Sequence, residues 1–345
     1  MTHRIRRVQQ LRVPPTPYAK RFGLFAEALE VRTNDRRVLA AAEAAFGRFS
    51  VPDAGEPLVL RLVVEPATDD PPPLDPRGLR HDTAGHLLSI DLGVAGGAVA
   101  DVATGFATGR VAAVLAEEPA LLRYAFIEAM ALAMISGGRG YVPIHASCVV
   151  RDGVGVILQG PAGAGKSTVA VACARRGWGL LAEDVVFARP ASEPSGAGGL
   201  ELWGMPWIQR LLPDAATHFP ELASAPARLQ ANGERKLEVD LDDHAPGAAT
   251  PRAAAGPIAL LARSTGGPTR AEWLDPEAAP SDVEVLWPWE GRWSEAHERT
   301  ATRLLALGVL RLHVNGTPDE AVDALETALS SVPARIPAPI PNPAG

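Results

Sequence analysis

The chain has 345 residues, a formal net charge of −7 and a hydrophobic fraction of 47%. That length suggests two domains, and the acidic balance argues against non-specific nucleic-acid binding, which needs a basic face. The basic cluster Arg4, Arg6 and Arg7 has no long apolar run behind it and does not read as a signal peptide.

The first part alternates short strand-like runs with turns. Strands are expected at Phe22 to Val31 and Leu58 to Val64, with a helix at Arg36 to Phe46 between them. Pro66 to Pro76 reads as a loop. Further strands are expected at His86 to Leu92, Ala98 to Val102 and Arg110 to Leu115. Pro119 to Ile135 is a helix with acids at its start. Its most apolar stretch, Ala125 to Ile135, carries Glu128 and is too short for a membrane span, so a buried helix is expected and no membrane contact. The flexible run Ser136 to Gly140 marks a boundary. An α+β N-terminal domain is placed at 1–136 and a second domain at 137–331.

In the second part Tyr141 to Val150 and Gly155 to Gln159 read as strands, Thr168 to Arg176 as a helix, and Leu180 to Asp184 as a strand ending in two carboxylates. Glu193 to Gly199 is a polar turn, Leu200 to Trp203 a short strand, and Trp207 to Phe219 an irregular helix. Strands are expected at Arg235 to Leu241, Ile258 to Arg263, Arg270 to Trp273 and Leu310 to Val314. Helices are expected at Trp293 to Leu307 and Pro318 to Ser330. The tail 332–345 is Pro-rich. Cys148 and Cys173 sit in a strand and a helix, with neither metal nor disulfide spacing. A reducing cytoplasm fits this cysteine usage.

The chemistry concentrates in Gly160-Pro161-Ala162-Gly163-Ala164-Gly165-Lys166-Ser167-Thr168, which fits G-x-x-x-x-G-K-[ST] between a strand and a helix. Gly163 and Gly165 permit backbone angles that turn successive N–H groups inward as an anion nest. The helix N-terminus adds partial positive charge. Lys166 can reach the β- and γ-phosphates, and the Ser167 hydroxyl can sit on Mg²⁺. Glu183 and Asp184 follow at a strand's C-terminal end, where a carboxylate can hold Mg²⁺ or accept a proton from an attacking hydroxyl. The bland alternative is a pair of acids capping a surface strand.

His145, the loop, Ala182-Glu183-Asp184 and Leu200-Glu201-Leu202-Trp203-Gly204 together resemble the catalytic domain of HPr kinase/phosphorylase over about residues 141 to 263, and more closely the HPr-kinase-related proteins, some of which phosphorylate a serine of a ribosomally made peptide. The resemblance implies an α/β P-loop kinase domain of the HPr kinase/phosphoenolpyruvate carboxykinase type. It implies that residues 160–168 bind ATP, that Ser167 and Glu201 hold Mg²⁺, that Asp184 with Glu183 deprotonates the acceptor hydroxyl, and that His145 lies near the phosphates. His145 on its own would more often be a core histidine. Arg235 or Lys236 would offset phosphoryl charge, against the alternative of a solvated cluster.

Three features depart from the family. Glu183 replaces the first Asp of its acid pair, Trp203 replaces the Arg of its Leu-Glu-Ile-Arg-Gly segment, and the N-terminal part does not match its regulatory domain. HPr itself is therefore not the expected substrate. The expectation is an ATP- and Mg²⁺-dependent kinase for a serine-type hydroxyl of a peptide or small protein. A small-metabolite kinase and a non-catalytic ATP-binding regulator stay open, as does homo-oligomerisation.

Overall fold

The computed structural model describes residues 14–331 apart from 54, 69–73, 192–198, 231–233, 265, 276 and 280–294. The Arg4–Arg7 cluster, the middle of the 66–76 loop, almost all of the 193–199 turn, the start of the helix expected from Trp293 and the Pro-rich tail lie outside the described residues. The chain divides into two compact units, 1–80 with 89–134, and 81–88 with 135–345.

In the first unit Tyr18–Leu24 and Glu27–Thr33 form an antiparallel hairpin, where one strand was expected. The break falls at Phe25, buried in a tight turn at φ 59°. No Gly or Asn advertises it. The helix Arg36–Phe46, capped by Asp35, then crosses over so that Leu58–Val64 runs parallel to Glu27–Thr33. Phe106–Val111 adds a further parallel strand and Gly96–Asp101 pairs antiparallel to it. The strand expected at Arg110 to Leu115 is thus split. Its second half is the short helix Ala113–Ala116. The helix Pro119–Gly138 is long and apolar enough to cross a membrane by length and composition, and 67% of that window is buried. It is π-helical over Leu122–Glu128.

The second unit is mixed α/β. Its strands are β1 (Val142–His145), β2 (Ser147–Arg151), β3 (Val154–Gln159), β4 (Gly179–Ala182), β5 (Val185–Pro190), β6 (Leu200–Trp203), β7 (Ile208–Leu211), β8 (Ala227–Leu229), β9 (Arg235–Asp240), β10 (Arg252–Arg263), β11 (Arg270–Trp273) and β12 (Val309–Val314). Its main helices are α1 (Lys166–Arg175), α2 (Glu295–Leu305) and α3 (Pro318–Ser330). The large sheet runs β4-β2-β3-β10-β6-β5-β1, with β12 also on β10 and β11 on β12. A separate small sheet runs β7-β9-β8.

The expected strand Tyr141 to Val150 is broken at Ala146, and β4 is broken from β5 at Glu183–Asp184. The two breaks face each other: the Ala146 amide donates to the Asp184 carbonyl at 3.0 Å. Both strands bend there, so β1 pairs with β5 while β2 pairs with β3 and β4. One apolar cluster, including Ile144, Ile157, Val186, Leu202 and Ile258, fills one side of the sheet. A second packs α1 and α3 against the other side through Val169, Cys173, Leu180, Val322 and Leu325. Both cysteines are buried, as expected, and burial raises both thiols, Cys173 to about 12.

Trp207 to Phe219 is not a helix. It holds β7 and one short 3₁₀ turn at Pro213–Thr217, and a second such turn follows it at Pro220–Ser224. Pairing of Ile208–Leu211 with β9 holds the chain between Pro206 and Pro213 extended.

Candidate active site

β3 is buried along its whole length because β2 and β10 flank it. It ends at Gly160, where a Cβ would stand 2.7 Å from the Leu261 carbonyl oxygen, so only glycine lets the loop leave beside β10. Gly163 and Gly165 have φ of 77° and 100°, a region that strains other residues. Gly165 is also the N-cap of α1 and offers no side-chain cap. The N–H groups of that first turn therefore have no side-chain acceptor from the cap, as at an anion site. Lys166 folds back over the loop, donating to the Gly160 carbonyl at 2.7 Å and approaching that of Pro161 at 3.5 Å. Arg263 Nε donates to the Gly163 carbonyl at 2.9 Å.

The carboxylate pair meets this loop. Ser147 on β2 is level with Leu158 on β3, and its hydroxyl donates to the Glu183 carbonyl. That bond pins the β4–β5 break at the loop end of the sheet. The Ser167 hydroxyl donates to Glu183 Oε1 at 2.9 Å. Arg210 Nε donates to Glu183 Oε2 at 3.2 Å. Glu183 is 4% exposed. Burial raises its pKa, Arg210 pulls it down and the Asp184 charge pushes it up again. Asp184 differs. Its side chain is 38% exposed, with His145 Nε2 at 3.4 Å from Oδ1 and Arg210 at 3.8 Å from Oδ2. The His145 hydrogen bond is the first cause of a pKa lowered to about 2; burial opposes it, and Arg210 and Lys236 add to the lowering. Adjacent acids thus differ in role: one is locked to the loop helix, and the other faces partly outward.

His145, Lys166, Ser167, Glu183 and Asp184 are therefore brought together, with Gly160 to Thr168 as their frame. Lys236 joins through its field on both carboxylates. Arg235 does not share its face, since neighbouring residues of a strand point to opposite sides. Sequence reading missed Arg210, which contacts both acids. Its signal is faint: one arginine in Ile208-Gln209-Arg210-Leu211, bounded by prolines.

Glu201 is displaced from its expected place. It is fully buried on β6, opposite Arg189 on β5 and Ala254 on β10. Arg189 is five residues beyond Asp184, about 16 Å along a strand. Ala254 lies level with Val154, at the end of β3 remote from the loop. Arg189 donates to one Glu201 oxygen, and Arg252 donates to the other through Nε at 3.0 Å and Nη2 at 2.6 Å. Burial works against ionisation, but the bonds from Arg189, Trp203 and Arg252 outweigh it and lower the pKa. Glu201 is a structural anchor for three strands, not a partner of Ser167. Gly204, which closes the same segment, is required by packing: a Cβ there would stand 2.1 Å from the Leu181 carbonyl oxygen.

The residues at the loop fit a magnesium-bound triphosphate. The donor set is hard oxygen, from the Ser167 hydroxyl and carboxylates, which suits Mg²⁺. The backbone is open above Gly163 and Gly165, with nothing within 4 Å of a Cβ built at either. Among the described residues no group of three or more His, Cys, Asp or Glu forms a metal cage. Phosphate and water oxygens would complete the coordination, as is usual for Mg²⁺.

No family model matches the chain. A stretch of 53 residues, 15% of this chain, is 47% identical to HPr kinase/phosphorylase from Chlorobium luteolum, and spans 16% of that relative's length. Among solved structures, the HPr(Ser) kinase/phosphatase from Coxiella burnetii is similar at 17% identity and a TM-score of 0.28, covering 55% of this chain and 93% of that one.

Proposed function

Given a chain that is HPr kinase-like over part of its length, we propose that it is a phosphotransferase moving the γ-phosphoryl group of ATP to a serine-type hydroxyl of a peptide or small protein. The observation that carries this reading is the division of labour in Glu183–Asp184. The first acid is held on Ser167 at 2.9 Å while the second keeps 38% of its side chain exposed beside His145. Neighbouring acids with opposed pKa shifts are a frequent mark of a catalytic pair.

In this scheme the nest at 160–167 and Lys166 hold the phosphates, and Ser167, with Glu183 behind it, holds Mg²⁺. The bound cation neutralises phosphate charge. Asp184 orients the acceptor hydroxyl. As the acceptor oxygen bonds to the γ-phosphorus, the bond to the β–γ bridging oxygen breaks and its electron pair leaves with ADP. The hydroxyl proton passes to Asp184. A carboxylate with so low a pKa takes it only when bond formation has made the hydroxyl acidic, so positioning and charge neutralisation dominate over base strength.

The test is intact-mass spectrometry of serine-containing peptides, chosen from those encoded beside the gene, incubated with the protein, ATP and Mg²⁺. One added phosphate per peptide is expected, with at least a hundredfold loss of rate in Lys166→Ala and in Asp184→Asn. Tight MgATP binding without transfer to any peptide would move the reading to a small-metabolite kinase or an ATP-binding regulator.

A further inference from the structure

We infer that Arg210 is the residue that reads the terminal phosphate of the nucleotide, a role for which the sequence points instead to Arg235 or Lys236. The inference rests on the phosphotransferase reading and deepens it. Arg210 and Ser167 share one carboxylate: Ser167 Oγ lies 2.9 Å from Glu183 Oε1, and Arg210 Nε lies 3.2 Å from Glu183 Oε2. A second guanidinium nitrogen lies 3.8 Å from Asp184. Arg210 is thus one side chain away from the hydroxyl that opens α1, on the side where the partly exposed acid lies. Its own side chain is 25% exposed, so the guanidinium is reachable from solvent.

The small sheet explains why this cation is there. β7 pairs antiparallel with β9, placing Arg210 opposite Glu238 and Gln209 opposite Val239. Gln209, Leu211, Leu237 and Val239 are buried, three of them in the apolar cluster around α1. By alternation, Arg210 and Lys236 project from the other face. That face also carries Glu238, opposite Arg210, so it is Arg210 and Lys236 in particular that bring positive charge to the acids, and Arg235 is on the wrong side of its strand to join them.

Glu183 and Asp184 both contact this charge. A terminal phosphate beside Ser167 brings more negative charge than either acid and a pair of oxygen acceptors that suits a guanidinium fork. Part of the Arg210 bonding then transfers from the acids to the phosphate. A diphosphate lacks that group, so Arg210 distinguishes the triphosphate from the diphosphate. Lysine cannot reproduce the fork and reproduces only part of the effect.

The experiment compares the affinities of the full chain for the magnesium complexes of ADP and of a non-hydrolysable β,γ-imido triphosphate. Titration calorimetry is run on wild type, Arg210→Lys, Arg210→Met and Arg235→Met. The wild type is expected to prefer the triphosphate analogue by about tenfold. Arg210→Met should lower that ratio to near one with ADP affinity within about threefold of wild type, Arg210→Lys should fall between, and Arg235→Met should keep the full ratio. A wild-type ratio near one, or a full ratio in Arg210→Met, overturns the inference while leaving nucleotide binding intact. If Arg210→Met does not fold, a full ratio in Arg210→Lys overturns the inference. Wild type binding neither nucleotide removes the phosphotransferase reading itself.

Discussion

Glu201 shows how one residue changes meaning between sequence and structure. In the sequence it is an acid in a Leu-Glu-x-x-Gly segment downstream of a phosphate loop, a natural metal ligand. In the structure both of its oxygens are held by arginines at the end of the sheet away from the loop. Removing one member of such a buried charge set leaves the others uncompensated. Glu201→Gln is therefore expected to lower unfolding free energy by about 3 kcal/mol in urea titration, while the affinity for magnesium-ADP stays within about twofold of wild type. A large loss of nucleotide affinity at unchanged stability would return Glu201 to the metal site.

The elements tell a similar story. The Gly204 of that same segment is not there for flexibility. Its α-carbon packs on the Leu181 carbonyl, two residues before Glu183, and a methyl group would meet that oxygen at 2.1 Å. Neither backbone can yield without moving β4 or β6, so Gly204→Ala should destabilise by about 1–3 kcal/mol. It should also weaken nucleotide binding, because β4 delivers Glu183 to Ser167. Wild-type urea midpoint and affinity in this variant would show that the strand ends are less tightly coupled.

The glycine-rich loop before α1, α1 itself, the helix Arg36–Phe46 and α3 were legible because each carries local chemistry: glycines of fixed spacing, an Asp35 cap, a Thr317–Glu320 capping box. The adjacency of His145, Ser167, Glu183 and Asp184 was legible from the motif and the likeness it suggested. The breaks at Phe25 and Ala146 were not, since neither residue type signals a turn and tertiary pairing imposes both. Arg210 was hidden for the same reason. Only the pairing of β7 with β9 shows which face it presents, and a reading of Trp207 to Phe219 as helix could not supply that.

At the scale of the molecule, residues 1–80 and 89–134 of the first unit contain no tryptophan, and the four tryptophans among the described residues, Trp178, Trp203, Trp207 and Trp273, lie in the second unit. Tryptophan fluorescence therefore follows that unit alone, and its acid sensitivity can be argued from its own carboxylates. Asp184, lowered to about 2, and Glu201, also lowered, are more acidic folded than unfolded. Each contributes stability above its unfolded pKa near 4, and that contribution is lost as pH falls toward the folded value. Glu183 acts in the opposite sense: its raised pKa means that burying it charged opposes folding at neutral pH, and protonation relieves the strain. Glu183, with its raised folded pKa, takes its proton first as pH falls, so below about pH 4 only Asp184 and Glu201 still lose charge, and stability falls there. The urea midpoint followed by tryptophan fluorescence should not fall from pH 7 to about 5, where protonation of Glu183 can only raise it, and should fall between about 4 and 2. In Glu201→Gln the fall should be shallower, since one of the two contributions is gone. A midpoint that stayed level or rose below pH 4 in the wild type would mean that these two carboxylates are not held as charged groups, and the assignment of Asp184 as an ionised, outward-facing acid would go with them.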